Sequence, residues 1–239
     1  MPPILSVKNL TTRFEDHVVL KDVSFTLEAG DELAVIGPNG SGKSVLLKSL
    51  LGILPHDGEV RWAPEARLGY VPQKIDADRH LPLTIKNLLT AKAKLLGLGA
   101  RDIHASIETV GLASSIAETP VGHLSGGQFQ KALIAFALLG SPNVILFDEP
   151  TASLDQLAEE HVYELVHQLR TGSGITVILV SHDLSVVSRY ATKVLCLNKE
   201  AVCFGTPQEA LSPDVVAKLY SGPQKFYHHH ATSQNPKSQ

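Results

Sequence analysis

The sequence predicts an α/β fold: a parallel sheet flanked by helices, an antiparallel β region ahead of it, and a helical segment inserted midway. Three observations predict it. Leu33–Ile36, Val144–Phe147 and Thr176–Val180 are short, uninterrupted apolar runs, with the length and branching of strands buried on both faces. A helix-period stretch from about Gln156 to Arg170 separates the last two, and such alternation of strand and helix belongs to parallel sheets. From Thr84 to about Glu118 the chain turns helical and poor in β-formers, which marks the insertion.

Taken in order, Ile4–Leu10 and Val18–Leu27 read as strands, the second with partial alternation at Val23, Phe25 and Leu27. Glu28-Ala29-Gly30-Asp31 is a turn before the strand Leu33–Ile36. A glycine-rich loop opens a helix over about Lys43 to Leu51. Gly58–Trp62 and Arg67–Val71 read as a further strand pair. Thr84, after Leu81-Pro82-Leu83, is placed to cap the first inserted helix. Another helix covers Gln130–Leu139. Val194–Leu197 and Ala201–Phe204 flank Asn198-Lys199-Glu200 as a hairpin, and after Gly222 the tail is polar and expected to be mobile.

With 239 residues, 44% apolar and 19% charged, the chain is long enough for a core with a smaller lobe and too apolar to be disordered. A formal charge of −3 without charge blocks supplies no footprint for nucleic acid or an anionic membrane. The longest central apolar stretch, Ala132 to Leu139, falls far short of the roughly 18 residues a spanning helix needs. Met1-Pro2-Pro3 does not begin a signal peptide. The expectation is a soluble, cytoplasmic chain that other chains recruit if it works at a membrane. Its two cysteines, Cys196 and Cys203, suit a reducing compartment, need not be paired, and read as small core residues rather than ligands.

Gly37-Pro38-Asn39-Gly40-Ser41-Gly42-Lys43-Ser44 fits G-x-x-x-x-G-K-[ST], and it lies where that motif has meaning, after a buried strand and at a helix start. Its glycines let successive backbone N–H groups turn inward around phosphate oxygens, and the helix N-terminus adds partial positive charge. Lys43 is then within reach of β- and γ-phosphates, and Ser44 of Mg²⁺. Val144–Phe147 ends in Asp148 and Glu149. An acid at the carboxyl end of a buried strand suits a magnesium ligand, Asp148, and its neighbour Glu149 is set to activate a water. The motif and the acids together predict a P-loop nucleotide-hydrolysing core that uses ATP and Mg²⁺.

Leu124-Ser125-Gly126-Gly127-Gln128 precedes a helix and reads as a second phosphate-binding N-terminus, or as a plain helix cap. One core already has a cradle; a second makes sense if it serves the nucleotide of another subunit. At this point the sequence resembles the ABC ATPases over almost its whole length. The resemblance implies that Phe14 stacks on adenine, although a core Phe is the alternative. It implies that Gln73, in Tyr70-Val71-Pro72-Gln73, touches Mg²⁺ and the attacking water. It implies that Ser153-Leu154-Asp155 meets the partner subunit, with Asp155 also free to cap its helix, and that His182 contacts the γ-phosphate. Ser125, Gly126, Gly127 and Gln128 would bind the partner's ATP. The unit would span 1–222, with a helical subdomain at about 74–125 inserted in the α/β core and a tail at 223–239. Two positions depart from the pattern: Lys131 and Phe136 stand where relatives carry arginine.

Substrate identity rests on finer likeness. Gly69-Tyr70-Val71-Pro72-Gln73-Lys74 with Leu81-Pro82-Leu83-Thr84, then Cys203-Phe204-Gly205-Thr206-Pro207 and Tyr227-His228-His229-His230, are similar to the ATPases of zinc and manganese importers. The resemblance implies a homodimer at the cytoplasmic face of the cell membrane, joined to transmembrane permease subunits. Through these it would serve an extracytoplasmic metal-binding protein, with zinc as cargo ahead of manganese or iron. It implies no nucleic-acid partner. The alternatives are a soluble or nucleic-acid-linked ABC ATPase, or one serving an exporter or lipoprotein release. His228–His230 reads either as a zinc sensor or as an inert tail.

Overall fold

The computed structural model describes residues 2–73, 82–152 and 154–220. Two sheets organise them. The first is antiparallel, with β1 (Leu5–Phe14) between β2 (His17–Leu27) and β4 (Asp57–Trp62). The second has six strands: β5 (Leu68–Val71), β6 (Val144–Asp148), β7 (Thr176–Val180), β3 (Glu32–Ile36), β8 (Lys193–Asn198) and β9 (Glu200–Gly205), adjacent in that order. All its pairings are parallel except β8 with β9. The expected parallel core and antiparallel entry region are both present.

Each central strand of the large sheet is buried along its whole length, because helices or the small sheet cover both faces. Alternate residues of β6 and β7 divide between two cores. Ile145, Phe147, Val177 and Leu179 face α5 (Gly126–Leu138) and α6 (Gln156–Ser173). Val144, Leu146, Ile178 and Val180 face the small sheet and α1 (Lys43–Leu50). A third cluster joins Ala34, Ile36, Val194 and Cys196 to α7 (Leu184–Tyr190), α8 (Pro207–Ala210) and α9 (Pro213–Tyr220).

The inserted segment forms α2 (Ile85–Leu96), α3 (Ala100–Thr109) and α4 (Ser114–Ala117). Thr84 caps α2 as expected: its side chain accepts from Asn87 N–H, and Asn87 Oδ1 accepts from Thr84 N–H at 3.0 Å. Leu89 and Ala93 of α2, Ile107 of α3 and Ala117 of α4 share a core with α5.

Two expectations are corrected. Asp57–Trp62 and Leu68–Val71 do not pair with each other: β4 joins β1 while β5 joins β6, so the link between them crosses from one sheet to the other. Cys196 and Cys203 are not free. They form a disulfide, because the β8–β9 pairing sets them directly opposite with Cα atoms 4.8 Å apart, inside the range a bridge spans. The tail with His228–His230, the segment 74–81 and Ser153 lie outside the described residues.

Candidate nucleotide site

The site collects at the carboxyl ends of the parallel strands, where open α/β sheets bind ligands. The loop 37–42 leaves β3, Asp148 ends β6, Gln73 follows β5 and His182 follows β7; these strands lie side by side. Strand order therefore brings together residues more than a hundred positions apart.

The loop is held from behind. Ser41 O accepts from Lys199 N–H at 3.0 Å, and Lys199 O accepts from Lys21 N–H, which ties the loop to the β8–β9 turn and to β2. A Cβ at Gly37 would lie 2.0 Å from Leu197 O, so only glycine fits against β8 there. Gly42, at φ 100°, is the N-cap of α1, and a side chain on it would strike Leu20. Ser41 Oγ is buried and has no hydrogen-bond partner among the described residues, as suits a group that would face a phosphate oxygen. Buried Lys43 turns its ammonium back onto Gly37 O at 3.0 Å and Pro38 O at 3.2 Å.

Ser44 Oγ donates to Asp148 Oδ1 at 2.8 Å, and Tyr70 OH reaches Asp148 Oδ2 at 3.4 Å. Burial raises the Asp148 carboxyl above its ordinary range; Ser44 lowers it, while neighbouring Glu149 raises it further. The same burial, with the Asp148 charge and hydrogen bond, pushes Tyr70 up to about 12. A hydroxyl beside a carboxylate is a hard-oxygen pair that fits Mg²⁺. Glu149 sits at φ 48°, an uncommon conformation for a side chain of this kind. There its carboxylate accepts from Gln73 Nε2 at 2.6 Å and lies 3.6 Å from Lys43 Nζ. These groups border a cleft of about 390 Å³ whose walls include Val19 and Val45 with residues 39–40 and 42–44.

Thus Lys43, Ser44, Gln73, Asp148 and Glu149 form one constellation. Gly37 and Pro38 join it by accepting from the Lys43 ammonium, whereas Phe14, His182, Asp155 and residues 125–128 make no hydrogen bond to it among the described residues. Phe14 ends β1 and is 45% exposed, so it is no core residue. His182 is exposed on the loop before α7. Asp155 caps α6 by accepting from Ala158 N–H at 2.9 Å. Ser125 caps α5, accepting from Gln128 N–H, while Gln128 Oε1 accepts from Ser125 N–H at 3.0 Å. Its glycines let the α5 start approach Leu154 and Ala158. Sequence reasoning missed Val19, which reaches the cleft from β2, and gave Tyr70 no role of its own.

Of the two departures from pattern, Phe136 has a local counterpart and nothing in the structure explains Lys131. Phe136 carries the Lys92 ammonium on its ring, 4.6 Å from the centroid, so α2 supplies a cation where α5 lacks one. Burial lowers the Lys92 pKa. Lys131 extends toward Gly111, past the end of α3.

Residues 20–152 match the family model of the ABC transporter. The zinc import ATP-binding protein ZnuC of Brucella abortus (strain 2308) is 38% identical over 232 residues, covering 95% of this chain and 76% of that protein. The protein of the same name from Chromohalobacter salexigens is 36% identical, covering 96% and 97%. Among solved structures, an inward-facing putative metal-chelate type ABC transporter aligns with TM-score 0.82 at 28% identity, over 91% of this chain and 89% of that one. A dimeric bacterial ABC transporter cassette aligns with TM-score 0.74 at 25% identity, over 85% and 98%. With the phosphate loop, the strand-end acids and the sheet order in agreement, this chain belongs to the ABC transporter family as a nucleotide-binding ATPase cassette.

Proposed function

We propose that the chain is the ATP-hydrolysing subunit of an importer for a divalent transition metal, with zinc as cargo ahead of manganese or iron, and that two copies clasp each ATP between them. The observation that carries the ATPase reading is the meeting of Ser44 with Asp148, and of Lys43 and Gln73 with Glu149, at neighbouring strand ends. The relatives named as zinc import ATP-binding proteins support the choice of cargo.

Phosphoryl transfer is mostly positioning and charge stabilisation, which is what these residues supply. Backbone N–H groups from Gly37 to Ser44 and the α1 N-terminus hold the phosphates. Lys43 exchanges its carbonyl contacts for phosphate oxygens. Ser44, Asp148 and Gln73 would hold Mg²⁺, which neutralises charge on the phosphate oxygens when bound. Glu149 orients the attacking water and accepts its proton. His182 approaches the γ-phosphate from the β7 end, and Phe14 stacks on the adenine.

Ser125, Gly126, Gly127 and Gln128 do not border the cleft of their own chain, which fits a role on the nucleotide of a second copy. Asp155 and its loop meet that copy. Residues 1–222 form the ATPase unit. The helices inserted at about 74–125 pass its opening and closing to transmembrane permease subunits at the cytoplasmic face of the membrane. An extracytoplasmic metal-binding protein delivers the ion.

Affinity capture of the chain from detergent-solubilised membranes tests this reading. It should bring down a polytopic protein, and the capturing cells should lose high-affinity zinc uptake when the chain is deleted. Capture of nucleic acid with no membrane protein, or zinc uptake unaffected by deletion, would contradict it.

A further inference from the structure

Behind the nucleotide site lies a buried row of hydroxyls. Thr151, Tyr163 and Ser181 are 5%, 3% and 1% exposed, and they belong to three different segments: the turn after Glu149, the middle of α6, and the loop that carries His182. Thr151 Oγ1 donates to Glu159 Oε1 at 2.8 Å, lies 3.0 Å from Tyr163 OH, and Tyr163 OH lies 3.2 Å from Ser181 Oγ. Asp183 N–H donates to Ser181 Oγ at 3.1 Å.

Each hydroxyl has a single hydrogen, so the direction of the row is fixed. The Thr151 hydrogen is committed to the Glu159 carboxylate, so Tyr163 must donate to Thr151. The Tyr163 hydrogen is then spent, and Ser181 must donate to Tyr163. The chain therefore runs from the Asp183 amide through Ser181, Tyr163 and Thr151 to Glu159, each of the three hydroxyls both accepting and donating. Such a chain polarises cooperatively and leaves no slack for one member to turn alone. Burial raises the Tyr163 phenol above its ordinary range, so it stays a donor at working pH. At the far end Asp183 caps α7, accepting from Ser185 and Val186 N–H.

The geometry points to Tyr163 as a positioning residue that fixes the distance between the turn leading from Glu149 to Asp155 and the loop presenting His182. This rests on the reading that Glu149 and His182 act on one ATP while Asp155 and its loop meet the other copy. On that reading, contact with the partner reaches the γ-phosphate through Thr151, Tyr163 and Ser181. Tyr163 touches no nucleotide itself. Its hydroxyl makes catalysis in one site sensitive to closure of the dimer.

The test is steady-state ATPase of the full chain as Tyr163→Phe, Thr151→Val, the two combined, and Thr151→Ser. Tyr163→Phe keeps the ring and its packing. It is expected to lower kcat about tenfold and to bring the Hill coefficient for ATP toward about one, with KM changed less than about twofold. Thr151→Val should do the same. The double variant should be no slower than either single one, because both break the same chain, and Thr151→Ser should recover most of what Thr151→Val loses. Additive losses in the double variant, or a Tyr163→Phe protein with wild-type kcat and cooperativity, overturn the relay alone. A wild-type chain without ATPase activity brings down the relay together with the reading beneath it.

Discussion

Glu32 stands at the start of β3 with 2% exposure, and its Oε2 has no hydrogen-bond partner among the described residues. His167 Nδ1, also without a hydrogen-bond partner among the described residues, lies 3.6 Å away, and the Arg170 charge favours the carboxylate. Burial outweighs Arg170 and raises the Glu32 carboxyl from 4.5 to about 7. The folded state thus binds this proton more tightly than the unfolded chain does. The resulting stability is complete below about pH 4.5 and is lost as pH rises through about 7. Glu32→Gln keeps the shape and removes the ionisation. Thermal melts across this range should show a flatter pH profile for the variant, and above pH 7 it should exceed the wild type by on the order of 2 kcal/mol. Superimposable profiles would show that Glu32 ionises freely in the folded protein. Sequence spacing made Lys43, Ser44, Asp148 and Glu149 legible because their chemistry is local to a strand end. Glu32, Tyr163 and Val19 were not legible, since their importance comes from which strand or helix lies opposite.

At the scale of elements, long runs with a clear period were readable and crossings between sheets were not. β3, β6 and β7 are short apolar runs that admit one reading, and β7 spans the residues expected of it, Thr176–Val180. β4 and β5 follow each other closely, which suggested a strand pair, but β4 is partly exposed and completes the small sheet while β5 extends the large one. The helices α7, α8 and α9 are seven, four and eight residues long, too few turns to establish a period. The disulfide was hidden by a register shift between Cys196 and Leu197. Counting back from the turn at 198–200 sets Cys196 against Val202, and the irregularity moves Cys203 into place. The bridge closes a loop that the hairpin already closes, with a separation of only seven residues. Reduction should therefore cost about 2 kcal/mol or less and leave ATPase within about twofold. Denaturant melts and turnover with and without a thiol reductant measure this; a collapse of activity on reduction would mean that the β8–β9 turn holds the phosphate loop through the bridge.

In the molecule as a whole, the described residues pack into three apolar clusters against one large sheet, with the nucleotide cleft at the carboxyl ends of its strands and a second glycine-rich helix start on a surface that does not border it. A chain that hydrolysed ATP alone would have no use for Ser125–Gln128 beyond capping a helix. ATP held between unlike surfaces of two copies uses both, and it makes the γ-phosphate the group that decides whether the copies stay together. No described helix is long and apolar enough to cross a membrane.

Light scattering of Glu149→Gln with Mg-ATP tests that claim most directly. The variant keeps Lys43, Ser44 and Asp148 while losing the carboxylate proposed to activate water. It should run at twice the mass of one chain with ATP, return to a single chain with ADP, and hydrolyse ATP at least about a hundredfold more slowly than wild type. A variant that remains a single chain at saturating ATP, or one that turns over at the wild-type rate, would contradict the account.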